Sequence, residues 1–282
     1  MQSLKRKLQQ ILKRIGVYHR LKASPAYYVY WSIVDRELIK EEAHEYQFYR
    51  RLLSGLHKGD VIFDIGANQG SKTQTFLRLG VRVIAVDPDE ANKDILEKKF
   101  LKYRLFSKPV VIVSRAVSDK SDDEVMWLDE PGSAKNTLSR KWADTLRRDE
   151  KRFGHTLGFG HTRVVTTMTL EELFEDHGVP FFIKIDVEGY ELNVLRGMQR
   201  PVPYLSFEVN LPEFRCEGLE CVKVLERIAA NGRFNYVTSC CRGLELPEWL
   251  SAAEFREVLS ECGEPSIEVF WRTSIEATGE RG

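Results

Sequence analysis

The sequence has no net charge: 42 lysines and arginines balance 42 aspartates and glutamates over 282 residues. That excludes a histone-like or broadly nucleic-acid-coating protein, which carries a basic excess, and no nucleic-acid partner is expected. No apolar run approaches the roughly 20 residues that cross a bilayer. The basic N-terminus spaces its apolar residues and so lacks the continuous core of a signal peptide. No cysteine precedes Cys216, and the five present, Cys216, Cys221, Cys240, Cys241 and Cys262, form no C-x-x-C pair. An odd set of this kind reads as reduced thiols in a cytoplasmic protein, with no metal site expected and zinc the minor alternative. Repeats and low-complexity tracts are also missing. Apolar content is not: 43% hydrophobic and 11% aromatic residues suffice for a core and argue against disorder. The length suits one large domain with an appendage.

The zero charge is a sum of unequal parts. Residues 1–34 contain no acid and seven bases (Lys5, Arg6, Lys7, Lys13, Arg14, Arg20, Lys22), so the remainder sums to 35 − 42 = −7. Within that basic stretch Leu4, Leu8, Ile11, Ile15 and Tyr18 recur at steps of four and three, a helical stripe. Three partners suit it: the domain itself or a second subunit in a homodimer, an anionic membrane touched peripherally through residues 1–22, or a phosphate-rich molecule.

The chain divides into a helical extension over 1–57 and a domain over 58–282, with an irregular insertion at about 130–162. Apolar strands are expected at Val61–Ile65, Val81–Val86, Val110–Ala116, Phe181–Ile185, Tyr204–Val209, Phe234–Thr238 and Ile267–Trp271. Amphipathic helices fall between most of them, at Thr73–Leu79, Glu90–Leu105, Leu170–His177, Glu191–Met198 and Leu219–Ala230. This alternation predicts an α/β fold, a mostly parallel Rossmann-like sheet covered by helices on both faces. Such sheets bind ligands outside the carboxyl ends of their strands, so the strand ends come first.

The first strand runs into Asp64-Ile-Gly66-Ala67-Asn68-Gln69-Gly70, a tight loop before a helix. Glycine permits positive φ and close backbone approach, and a helix N-terminus offers free N–H groups. A dinucleotide site would carry G-x-G-x-x-G. Here Asp64 stands where the first glycine would be, which disfavours a pyrophosphate and suits a cationic ligand such as S-adenosylmethionine. The alternative is a plain strand–turn–helix. Asp87 follows 87 − 64 = 23 residues later, at the end of the second strand, and is placed for ribose hydroxyls or as a helix cap. Ser118 and Asp119 end the third strand, where a polar side chain meets an adenine amino group, or where a turn begins. The fourth strand ends in Lys184-Ile-Asp186-Val-Glu188-Gly-Tyr-Glu191, and period-two alternation puts Lys184, Asp186 and Glu188 on one face. These acids position a hydroxyl, remove its proton, anchor an amino group, or merely cap the next helix. Glu208 on the fifth strand is a candidate for lining the acceptor pocket.

Three segments resemble the FkbM-type methyltransferases, a branch of the class I S-adenosylmethionine-dependent enzymes: Val61-Ile-Phe-Asp-Ile-Gly-Ala-Asn-Gln-Gly70, Thr169-Leu-Glu-Glu-Leu-Phe174 and Phe182-Ile-Lys-Ile-Asp-Val-Glu-Gly-Tyr-Glu-Leu-Asn-Val-Leu-Arg-Gly197. The likeness spans roughly Glu45 to Asn210. It implies a seven-stranded sheet whose last strand is antiparallel, S-adenosylmethionine as cofactor, and methyl transfer to a hydroxyl of a sugar, glycan or secondary metabolite. Carried over, Asp64, Gly66, Ala67, Asn68 and Gly70 form the cofactor loop, Asp87 holds the ribose, and Asp186 and Glu188 face the reaction. Glu45 matches an acid that such families place before the first strand. Gln69 and Ser71-Lys72-Thr73 depart from the pattern.

An alcohol is a poor nucleophile near neutral pH, so a base is needed. The candidates are Asp186, Glu188, His155 and His161. The histidines lie in Lys151–Thr162, a glycine-containing stretch suited to a lid. A divalent metal bridging Asp186 and Glu208 has no support in the sequence. A non-catalytic cofactor-binding scaffold is the competing function, and a nicotinamide-dependent oxidoreductase the third, disfavoured by Asp64.

Overall fold

The computed structural model describes residues 36–106, 109–148 and 158–274. The basic stripe within residues 1–22 and His155 lie outside them, as do the membrane and dimer contacts expected of that stripe.

β1 (Val61–Ile65) is buried at all five positions, which demands a neighbour on each edge and a layer on each face. β2 (Arg82–Val86) and β7 (Phe182–Ile185) supply the edges, both parallel to β1. The sheet continues through β3 (Val110–Val113) on one side, and through β8 (Tyr204–Asn210), β10 (Ser266–Arg272) and β9 (Arg233–Val237) on the other. The order is β3-β2-β1-β7-β8-β10-β9. β10 is antiparallel to both neighbours, so the seven-stranded sheet has the expected reversed last strand.

Period-two alternation sorts the core into two layers. Val61, Phe63 and Ile65 pack with α5 (Arg140–Arg148), α6 (Leu170–His177), α7 (Glu191–Arg196), α8 (Arg215–Ile228) and α9 (Ala252–Glu261), through Trp142, Phe174, Leu195, Leu225 and Phe255. Ile62 faces the opposite layer with Tyr49 of α1 (Arg36–Leu52), Phe76 of α2 (Ser71–Arg78) and Leu96 of α3 (Glu90–Lys99). A short α4 (Leu101–Phe106) follows α3. Tyr49 is fully buried and its hydroxyl donates to Glu268 at 3.2 Å, so the domain core reaches back into α1.

The Thr169-Leu-Glu-Glu segment has a local reason. Thr169 Oγ1 accepts from the Glu172 amide at 3.2 Å, and Glu172 Oε2 accepts from the Thr169 amide at 2.7 Å. This capping box starts α6 and satisfies two amides that a helix start leaves open.

The third strand differs from expectation. It stops at Val113, and Ala116–Val117 form a separate β4 that pairs with β6 (His161–Met168). β5 (Asp123–Leu128) lies antiparallel to β6. These three make a small second sheet that flanks the stretch read as irregular, with α5 between β5 and β6. Charged and polar residues at alternate positions of β5 and β6 dilute the apolar pattern, because only one face of this sheet is buried.

Candidate active site

β1 leads to β2 on one side while β7 lies on the other, so the switch point falls between β1 and β7. The chain crosses very closely there. The Asp186 amide donates to Ile65 O at 2.9 Å, and a Cβ on Gly66 would stand 1.8 Å from Asp186 O. Gly66 has φ +82° and Gly70 φ +73°, where a Cβ would strike Phe100 and Leu96. Both glycines are therefore required by the chain's own packing, and Gly66 also lines the cleft described next.

A cleft opens beyond this crossing. Ile65, Val86, Val117, Met126 and Leu138 give it apolar walls, and Asn68, Asp87, Asn92, Asp186 and Glu188 line it with polar groups. Asp87, at the end of β2, accepts from the Asn68 amide at 2.8 Å, the Asp89 amide at 2.9 Å and Asn92 Nδ2 at 3.1 Å. A carboxylate has about four acceptor positions, so one remains. Burial outweighs these bonds and pushes the Asp87 carboxyl up to about 6. Asn92 Oδ1 is buried and finds no hydrogen-bond donor among the described residues. Sequence reasoning missed Asn92; its place five residues after Asp87, on the first turn of α3, is the signal that was there.

The Asp186–Tyr190 turn is held from below. Glu188 has φ +56°, uncommon for a residue with a side chain. Glu191 Oε1 accepts from the amides of Val187 at 3.1 Å and Gly189 at 3.2 Å. Burial, together with the Glu208 and Asp186 charges, pushes the Glu191 carboxyl up to about 8 despite those bonds. Glu188 Oε2 accepts from Trp142 Nε1 at 2.8 Å, and Lys135 Nζ lies 3.7 Å from Oε1. Burial nonetheless holds Glu188 above the usual carboxylate range.

Asp186 lies on the wall between this cleft and a second cavity of about 270 Å³, lined by Lys72, Lys184, Glu208, Ser266 and Glu268 among others. Lys184 Nζ donates to Asp186 Oδ2 at 2.7 Å. Burial pushes the Asp186 carboxyl up, but the Lys184 ammonium outweighs it with help from Lys72, and the net direction is down. Glu208 behaves oppositely. Burial and the Asp186 and Glu188 charges push it up to about 7, against the Ser266 hydroxyl that donates to it at 2.8 Å.

Other expected site residues fall elsewhere. Asp64 points to the α1–α2 side of the sheet, accepts from Thr73 Oγ1 at 2.5 Å, pairs in register with Lys184 and lines neither cavity. Burial pushes it up to about 6. Its carboxyl is therefore turned away from the cleft and does not face a pyrophosphate or any other ligand there. The cause is strand parity: Ile65, one residue on, takes the cleft side. Ala67 is buried in the core, its amide bonded to Val86 O at 3.0 Å. Glu45 is ion-paired to Lys72, which lines the second cavity, and itself lines neither. Ser118 is buried and donates to Glu124 at 2.8 Å, while Asp119 is exposed; neither lines the cleft, because the chain turns there into the small sheet. His161 opens β6 opposite Leu128, is exposed and lines neither cavity, so it belongs to a strand and not to a loop over the site.

The sheet order, with a cleft at the β1–β7 switch point and acids at its strand ends, defines a Rossmann-like domain with a ligand site at the usual place. Residues 64–263 match the methyltransferase FkbM domain, and the chain belongs to that family. Among solved structures it is similar to methyltransferase FkbM from Methylobacillus flagellatus, at 15% identity and TM-score 0.48, over 80% of this chain and 47% of that one. The chain thus spans about half the length of that relative. It is also similar to precorrin-6y C5,15-methyltransferase from Geobacter metallireducens, at 11% identity and TM-score 0.42, over 82% and 88% of the two chains. A TehB-like S-adenosylmethionine-dependent methyltransferase from Corynebacterium glutamicum matches at 13% identity and TM-score 0.40, over 89% of this chain and 100% of that one. No curated protein matches the sequence. Among the described residues no helix is long and apolar enough to cross a membrane, and no cluster of three or more His, Cys, Asp or Glu is placed to hold a metal ion.

Proposed function

We propose that this methyltransferase uses S-adenosylmethionine and methylates a hydroxyl of a sugar, glycan or other small metabolite. The observation that carries the reading is the position of Asp186 on the wall shared by the two cavities. A methyl donor in one and an acceptor in the other would meet at that carboxylate.

The chemistry of the cleft lining supports that cofactor. A ribose presents hydroxyl donors, and the cleft offers the remaining acceptor position of Asp87 and the unbonded Asn92 Oδ1 beside it. A purine is flat and apolar on its faces, and Ile65, Val86, Val117, Met126 and Leu138 provide such walls. When bound, the cofactor supplies a methyl group already activated by its sulfonium, so the protein's task is alignment and proton removal. Asp186, kept ionised by Lys184, accepts a hydrogen bond from the acceptor hydroxyl and aims it across the wall. Glu208 lines the same cavity, and its position near 7 suits it to take the proton that the hydroxyl loses. Glu208 thus joins Asp186, Glu188, His155 and His161 as a candidate base, and His155 lies outside the described residues.

The test is methyl transfer from labelled S-adenosylmethionine to a panel of sugars, glycans and hydroxylated metabolites, read as S-adenosylhomocysteine together with a product about 14 Da heavier. Asp186→Asn should lower turnover by at least about a hundredfold while the protein stays folded. Undiminished turnover in that variant removes the assigned role. Cofactor binding without product on any hydroxylated acceptor favours the non-catalytic alternative.

A further inference from the structure

A third space, a groove of about 600 Å³, lies on the α1 side of the sheet. The second half of α1, the start of β8, the end of β10 and the segment after β9 form it. It touches the second cavity, because Cys240 lines both. Burial pushes the Cys240 thiol up to about 11, so the shared wall is uncharged near neutrality.

The charge of this groove is one-sided. Arg51, Arg242 and Arg272 line it, and among the described residues no carboxylate does. In a chain with equal numbers of acids and bases this is a local departure. Neither Arg51 nor Arg272 has a carboxylate partner among the described residues, and the nearest to Arg242 is Glu245 at 4.0 Å. The Arg272 guanidinium lies over the Trp249 ring, 4.4 Å from its centroid, which fixes the plane of its donor fork. Phe48 and Tyr204 add aromatic wall beside it. Guanidinium forks on an aromatic floor match a phosphate or carboxylate attached to an organic body.

We propose that this groove binds an anionic group, a phosphate or carboxylate, carried by the acceptor beyond its reacting hydroxyl. The inference rests on the methyltransferase reading of the neighbouring site. The three spaces then form one path. Cofactor contacts end at Asp186, the hydroxylated end lies in the acid-lined cavity, and the anionic end passes Cys240 to the arginines. The groove serves affinity and selection of the acceptor and takes no part in the chemical step. An acceptor without negative charge would leave the arginine cluster uncompensated and bind more weakly.

The experiment uses the full chain and inorganic pyrophosphate as probe, by isothermal titration at low and high salt. S-adenosylmethionine is titrated separately. The variants are Arg51→Gln, Arg272→Gln and their combination, with Lys98→Gln on the exposed face of α3 as control. Thermal midpoints check folding, and Arg51→Gln removes no side-chain hydrogen bond or ion pair between described residues. The expected result is pyrophosphate binding that weakens with salt, falls at least about tenfold in the double variant, and is unchanged in the control, with cofactor affinity unaltered in all. Pyrophosphate binding that is absent, or indifferent to both arginines, overturns the proposal even where the cofactor still binds. Arginine-dependent binding to phosphatidylglycerol vesicles without pyrophosphate binding overturns it as well, since a lipid surface would then be the occupant. Failure of the cofactor titration alone removes the methyltransferase reading and with it the groove's link to an acceptor.

Discussion

Lys184 and Asp186 stand two residues apart at the end of β7, and the ammonium donates to the carboxylate at 2.7 Å. The lysine side chain is 4% exposed and the aspartate 38%; both line the second cavity, and Asp186 alone also lines the cleft. Burial alone would push the lysine down; the Asp186 and Glu268 carboxylates reverse this and hold it above the usual lysine range. Lys184 therefore keeps the Asp186 carboxylate ionised at the wall between the two cavities, able to accept a hydrogen bond but a weak base.

Lys184→Met keeps the length of the side chain and removes its charge. The Asp186 carboxyl should then rise, since burial is no longer opposed by the ammonium beside it. Turnover should drop at least about tenfold at neutral pH and recover partly as pH increases. A pH–rate profile measured beside the thermal midpoint separates this from simple unfolding. A profile identical to the parent protein would show that the pair does not act on the reaction.

Glu208 gives the pH dependence a sign. A base must be ionised to accept a proton, and Glu208 is pushed up to about 7. The rate should therefore rise with pH through about 7 and level off above it. Glu208→Gln should be slower by about a hundredfold or more and lose that rise. Persistence of the limb near 7 in the variant would move the base elsewhere.

Gly66→Ala tests the chain crossing. The added methyl would stand 1.8 Å from Asp186 O in a backbone at φ +82°, so β1 and β7 would have to separate. Strain of this kind in αL, with a backbone clash, should cost at least about 2 kcal/mol. Urea denaturation measures it. A variant with an unchanged midpoint would mean that the crossing gives way more easily than its geometry indicates.

Much of the sheet was readable because its strands are buried on both faces. Val61–Ile65 is an unbroken apolar run apart from Asp64, and its limits match the expectation. The helix Leu170–His177 was equally plain, since its capping box is written in four consecutive residues. β5 and β6 were not, because a half-exposed strand carries as many charged as apolar residues. The direction of Asp64 was misread for a different reason: a strand-end acid reads the same whether it faces a cleft or a buried threonine, and only strand parity against β7 decides. Asp87 and Asp186 came from the strand-end rule directly. The arginine groove was out of reach, because Arg51 precedes Arg242 by 242 − 51 = 191 residues and lines the same groove only when α1 lies on the sheet.

The proposed function rests on S-adenosylmethionine bound in the cleft with its ribose on Asp87. Titration of S-adenosylmethionine into the parent protein and Asp87→Asn, at several pH values, tests it most directly. Asp87 is pushed up to about 6 and accepts more strongly while ionised, so affinity should fall as pH drops through about 6. Asp87→Asn should bind at least about tenfold more weakly at pH 7.5, in protein that a thermal melt shows to be folded. An absence of binding to the parent protein, or equal affinity in the variant, would contradict the account.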